Sequence, residues 1–266
     1  MSKNKEVAEA AKSGVALPQD WQSELAKKAN ESAANVRPAS SVISLKSGIV
    51  SYQGVQAPDN KLDVVIIGFA QEHTYYGAKY DPDNVSSPDC YALAPSDMEE
   101  RDIIPAENVE NPQNADCHSC PQLQWGSQMR DGKPGKGKAC QQRYRLIAIP
   151  ASALTSAETV LGAEAAIIKL PVTSGKVWAQ YLQTVASVYK RPEWGVITTV
   201  SAKPDVRTQF KAVFTVADVV DFEGMPELYP AITQKIGLVT GALMKGYDLS
   251  GEAASDEPNA SAKHAK

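Results

Sequence analysis

Short apolar runs of strand length, separated by polar stretches bearing proline or glycine, dominate the middle of the chain. Val42, Ile43, Leu45, Ile49 and Val50 form one strand-like stretch, broken by Lys46-Ser47-Gly48. After a turn at Ala57-Pro58-Asp59-Asn60 comes LDVVIIGFA (62–70), whose unbroken apolar character predicts a strand buried on both faces. RYRLIAIP (143–150) and AAIIKLP (165–171) predict two more strands, and 195–202 and 209–216 a further pair. Between them, Val177, Trp178, Tyr181, Leu182, Val185 and Val188 recur at three-to-four spacing, which predicts an amphipathic helix over 174–188. A last helix is expected over 226–244.

Two stretches carry no such period. Residues 1–41 offer one plausible helix (21–33) entered by Pro18 and Asp20, with too few apolar positions for a core, so they form a partly flexible helical appendage. Residues 71–110 are polar, acidic and proline-bearing, and a loop this long in a compact domain is expected to be functional or held from outside. The tail, 251–266, is small and polar and is expected to be disordered. The resulting fold class is mainly β (α+β): an oligonucleotide-binding (OB-like) barrel or another partly open barrel over 42–250, with 71–141 inserted and helices flanking it.

Composition narrows the partners. The chain has 266 residues and a net charge of −4, so nucleic-acid binding would need a local basic patch. No run approaches the ~20 apolar residues of a membrane-spanning helix. A charged start without an apolar core behind it gives no secretory signal, and a cytoplasmic location is expected.

That location bears on the four cysteines, spaced Cys90-x26-Cys117-x2-Cys120-x19-Cys140. Disulfides are uncommon in reducing compartments, so a metal site or buried thiols are the favoured alternatives. A two-residue spacing lets both thiolates of a turn face one ion, and zinc takes four such ligands at ~2.3 Å. His118 in place of one cysteine is an open alternative, as are free thiols; no thioredoxin-like pattern supports a redox pair. Four protein ligands would make the zinc structural, with no position left for a catalytic water.

Arg130, Lys133, Lys136, Lys138, Arg143 and Arg145 lie near Trp125 with one acid, Asp131, among them. Cations for phosphates and flat rings for bases are what single-strand binders use, although a solvated loop has the same composition. Tyr75, Tyr76, Tyr80, Tyr91 and Tyr144 are further stacking candidates, whereas His73 has no evident partner. Asp97, Glu99, Glu100 and Asp102 form no recognised metal-nuclease pattern, and no catalytic arrangement of His, Ser or Lys is visible, so no enzyme is expected.

Several segments together resemble the zinc-containing single-stranded-DNA-binding proteins of tailed phages and prophages. They are LDVVIIGFA followed by HTYYGAKY, SSPDCYALAPSD, CHSCPQLQWGS with GKGKACQQRYRL, and TSGKVWAQYLQTV before EWGVITTVSA, over roughly residues 42–220. The resemblance implies an OB barrel with a zinc subdomain that binds single-stranded DNA without sequence preference in replication or recombination. It places metal ligation on Cys90, Cys117, Cys120 and Cys140, and DNA contact on Trp125, Lys136, Lys138, Arg143 and Arg145. Replication or recombination proteins are possible partners, in the host cytoplasm if the chain is phage-encoded. The competing expectation is a zinc-stabilised adaptor, or a transcription-associated protein, that works through protein contacts.

Overall fold

The apolar run at 62–70 lies in a strand longer than the run itself, β4, which spans Lys61–Tyr75. The structure, a computed structural model, describes residues 42–78, 86–130, 132–206 and 209–249; the N-terminal appendage, Tyr80, Asp131 and the 251–266 tail lie outside these residues. Before β4 come three two-residue strands, β1 (Ile43–Ser44), β2 (Ser51–Tyr52) and β3 (Val55–Gln56), paired antiparallel in that order. The stretch at 42–50 divides at the expected break, where Ser47 and Gly48 turn at φ 56° and 77°.

After β4 follow β5 (Cys90–Pro95), a small hairpin of β6 (Met129–Arg130) and β7 (Lys133–Pro134), β8 (Gln141–Pro150), helix α1 (Ala157–Gly162) and β9 (Ala166–Lys169). Helix α2 (Gly175–Thr184), β10 (Val196–Asp205), β11 (Gln209–Val219) and α3 (Leu228–Leu243) complete the described chain. The main sheet is antiparallel in the order β11-β10-β4-β8-β9, with β5 also paired to β4. The architecture is mainly β with few helices.

Segment 71–110 departs from the expected irregular loop. β4 continues through Gln71-Glu72-His73-Thr74-Tyr75, and β5 returns along it from Tyr75↔Cys90 to Ala70↔Pro95. The polar run hides a strand because Glu72, His73 and Thr74 are themselves buried. A register shift against β8 between Ile66 and Gly68 marks a bulge. Before it β4 pairs with β10 over Lys61–Val64, and beyond it with β5 over Ala70–Tyr75.

Both faces of β4 are covered. Val64 and Ile66 join a core with Leu146, Ala148, Trp178, Val200, Phe214 and residues of β1 and β2. Val65 and Ile67 join a second core under α1 and α3, with Ile147, Ile149, Val160 and Ile232. Segment 42–57 spans the first core: Val42 bridges Ile167 of β9, and Gly48 sits against Phe210 of β11. Among the described residues β9 and β11 do not pair, so the sheet is not closed into a barrel by hydrogen bonds.

A buried ion pair near the β4–β8 seam joins Glu72, fully buried, to Arg145, which is 5% exposed. Arg145 Nη1 also donates to the carbonyls of Leu243 (3.1 Å) and Lys245 (2.7 Å), capping the end of α3, and the Tyr247 hydroxyl donates to Glu72 (2.8 Å). Burial opposes ionisation of Glu72, but Arg145, the Tyr247 hydroxyl and Lys169 outweigh it and hold the carboxyl below its ordinary value.

Two outcomes follow. Arg145→Ala leaves a buried carboxylate without its ion-pair partner and is expected to cost about 3–5 kcal/mol in urea unfolding. A carboxyl depressed in the folded state stabilises above the unfolded carboxyl pKa and loses that contribution as pH falls through the lower folded value. Stability of the native protein is therefore expected to fall below about pH 4, and Glu72→Gln to flatten that limb of the pH profile.

Candidate metal centre and nucleic-acid surface

The turn at CHSC is built locally. Asp116 accepts from the Ser119 backbone N–H (2.6 Å) and hydroxyl (2.7 Å), and Cys120 N–H donates to Cys117 O (3.3 Å). This is the short side-chain-to-backbone bonding that Asp offers a turn. Cys117 N–H donates to Ile103 O (2.9 Å), Cys140 N–H to Gln122 O (2.8 Å), and Cys90 opens β5 beside Tyr75. The insertion thereby brings three separated pieces of chain to one place.

Cys90, Cys117, Cys120 and Cys140 are all free, all buried, and all line one cavity of ≈ 20 Å³, about the room of a single water-sized sphere. His73, Tyr75 and Leu123 share its wall, while His118 is exposed outside it. Burial first, and then the neighbouring thiols, push Cys117 and Cys140 up to about 12. Burial raises Cys90 as well, opposed by a hydrogen bond from the Gln113 backbone. Such a cluster favours neutral thiols until a cation reverses the balance. Among the described residues no group of three or more His, Cys, Asp or Glu side chains is already arranged to hold a metal ion. The donor set still suits zinc: four sulfurs, none in a disulfide, face one small space.

The basic segment abuts this cavity. Gly126 and Gln128 N–H groups both donate to Gly137 O (3.0 and 3.1 Å), and Ala139 N–H donates to Ser127 Oγ (2.9 Å). Gly126 turns at φ +90°, a left-handed conformation that favours glycine. On this braced loop Trp125 is 78% exposed, with Lys138 Nζ 5.6 Å from its ring centroid. Lys138 also donates to Gln142 Oε1 (2.7 Å), and Lys133 and Lys136 are exposed nearby in the chain.

The remaining candidates separate. Arg143 is half-buried and donates to Gln141 Oε1. Arg145 is withdrawn from any ligand surface, because its guanidinium serves Glu72 and the end of α3. Tyr75 packs on Cys120, Leu123 and Cys140 as part of the cavity wall. Tyr76 is half-buried, its phenol raised by burial first. Tyr144 and Trp178 meet Phe69 edge-on in the first core, and Tyr91 is buried against Tyr247.

Residues beyond those expected also line the site. His73 is 2% exposed, and burial foremost lowers its pKa. Gln142 joins it (3.4 Å) to Glu100 (3.0 Å) and Lys138. The Asp-x-x-Ser spacing of 116–119 is a turn signal readable in the sequence; His73 carries none, because its polar strand has no apolar period. Comparison with protein-family models, curated proteins and solved structures finds no match.

Cys117→Ser is expected to lower both bound zinc, measured by metal analysis of purified protein, and the melting temperature. Full stability with reduced zinc would contradict a structural site.

Proposed function

We propose that this chain binds single-stranded DNA without sequence preference, and that Cys90, Cys117, Cys120 and Cys140 hold a structural zinc ion that braces the binding surface. The observation carrying this reading is Trp125: a large ring left exposed on a loop fixed by backbone hydrogen bonds, with the Lys138 ammonium over it. An exposed, pre-positioned ring beside cations offers a base a stacking face and its phosphate a counter-charge. Lys136 and Arg143 extend the positive charge along the same segment.

The succession β4, β8, β9, α2, β10, β11 supports an OB reading of the core: five antiparallel strands with a helix between the third and fourth. On that reading segment 76–140 is the connection between the first and second strands, one of the loops through which OB folds bind oligonucleotides. Zinc would supply rigidity alone, fixing a loop whose own apolar contacts are few.

A labelled thymidine oligonucleotide is expected to bind more tightly than a duplex of equal length, and less tightly as salt rises. Trp125→Ala is expected to weaken binding by on the order of ten-fold, from a stacking contribution of ~1–3 kcal/mol. Lys136→Ala is expected to flatten the log–log salt dependence by about 0.7, one single-strand phosphate contact. Lys138→Glu with Arg143→Glu should abolish most binding while circular dichroism stays unchanged. Equal affinity for single strand and duplex, unaffected by these substitutions, would refute the proposal.

A further inference from the structure

Gln142 has its amide orientation fixed by two charges. Lys138 is only a donor, so the oxygen 2.7 Å from its ammonium is Oε1; the Glu100 carboxylate is an acceptor, so the group 3.0 Å from it is Nε2. The second hydrogen of that Nε2 is then directed to His73 Nε2, 3.4 Å away. An imidazole nitrogen that accepts carries no proton, so the proton of the neutral ring sits on Nδ1. This Nδ1 is buried without a hydrogen-bond partner, in a residue 2% exposed that lines the cysteine cavity.

An orphaned buried N–H is uncommon in a folded protein. The four cysteine sulfurs line that cavity together with Gln113, Asn114, Asp116 and Gln122, and of these acceptors a metal-bound thiolate is the one that metal binding creates. We propose that His73 is a positioning residue of the metal centre: its Nδ1–H donates to a cysteine thiolate once the metal is bound, with Gln142 fixing the tautomer. This rests on the reading of the four cysteines as metal ligands. It makes His73 a neutral donor beside the ion and not one of its ligands. It also ties the centre to Lys138, which shares Gln142 with His73.

Cobalt(II) is the probe, because its thiolate charge-transfer and d–d bands report donor strength and geometry directly. Wild-type protein, His73→Phe and His73→Asn are titrated with Co²⁺ and then competed with a chelator. His73→Phe is expected to keep the tetrahedral d–d bands, to shift the charge-transfer band to lower energy as the unbonded sulfur donates more, and to bind about ten-fold more weakly or worse. His73→Asn, which restores an N–H near Nδ1, is expected to recover most of the affinity and the band position; a merely space-filling histidine would show no such rescue. Wild-type affinity and spectrum in His73→Phe would overturn the proposal. So would collapse of its d–d bands, which would make His73 a ligand. Absence of cobalt bands in the wild-type protein would instead remove the metal reading itself, so the two failures are distinguishable.

Discussion

A strand has two hydrogen-bonding edges, yet β4 serves three neighbours. It manages this by exchanging one partner for another along its length. β8 runs beside it from Val64 to Thr74, while β10 covers its first part and β5 its second. The exchange happens across the bulge at Ile66–Gly68, where one extra residue bends the strand and re-aims everything beyond it. The first half of β4 therefore belongs to the doubly covered core, and the second half carries the cysteine insertion. Without the bulge the two parts of the molecule would not share a strand.

The bulge also decides which side chain faces where. Alternation along a strand sends neighbours to opposite faces. Beyond the bulge, Glu72 goes to the side of α3 and His73 to the side of the cysteines. Each is a buried polar group needing a partner, and the two needs are met differently. Glu72 takes Arg145 and the Tyr247 hydroxyl, which pins the chain after α3 against the seam. His73 takes Gln142 on one nitrogen only. A buried carboxylate left unpaired costs far more than an imidazole N–H, so the stronger demand is the one satisfied within the chain itself.

The sequence made the core legible and the seam illegible for the same physical reason. LDVVIIGFA, RYRLIAIP and the Trp178–Tyr181 helix are visible because hydrophobic burial leaves a periodic signature. Gln71 to Thr74 leave none, since their burial depends on partners distant in sequence: Arg145 is 73 residues from Glu72, and Gln142 is 69 from His73. In sequence Arg145 is one more cation beside Arg143, and the register Ala70↔Arg145 puts it inside. The cysteines are legible without the fold, because a tight pair with two distant partners is a pattern of spacing alone.

The insertion is poorly equipped to hold itself. Its buried apolar groups form three small clusters, Ala92, Ala94, Ile103 and Cys117 in one, Cys90, Tyr91 and Val109 in a second, and Cys120, Leu123 and Cys140 in a third, with a cysteine in each. Clusters of that size bury too little apolar surface to offset the entropy of ordering the loops between them. Backbone bonds to Ile103, Gln122 and Gly137 and the Asp116 turn supply part of the difference. A metal linking Cys90, the Cys117–Cys120 turn and Cys140 would close two long loops at once, at the positions where apolar packing is thinnest. On that thinly packed insertion Trp125 stands exposed, on a loop fixed by the bonds of Gly126 and Gln128 to Gly137.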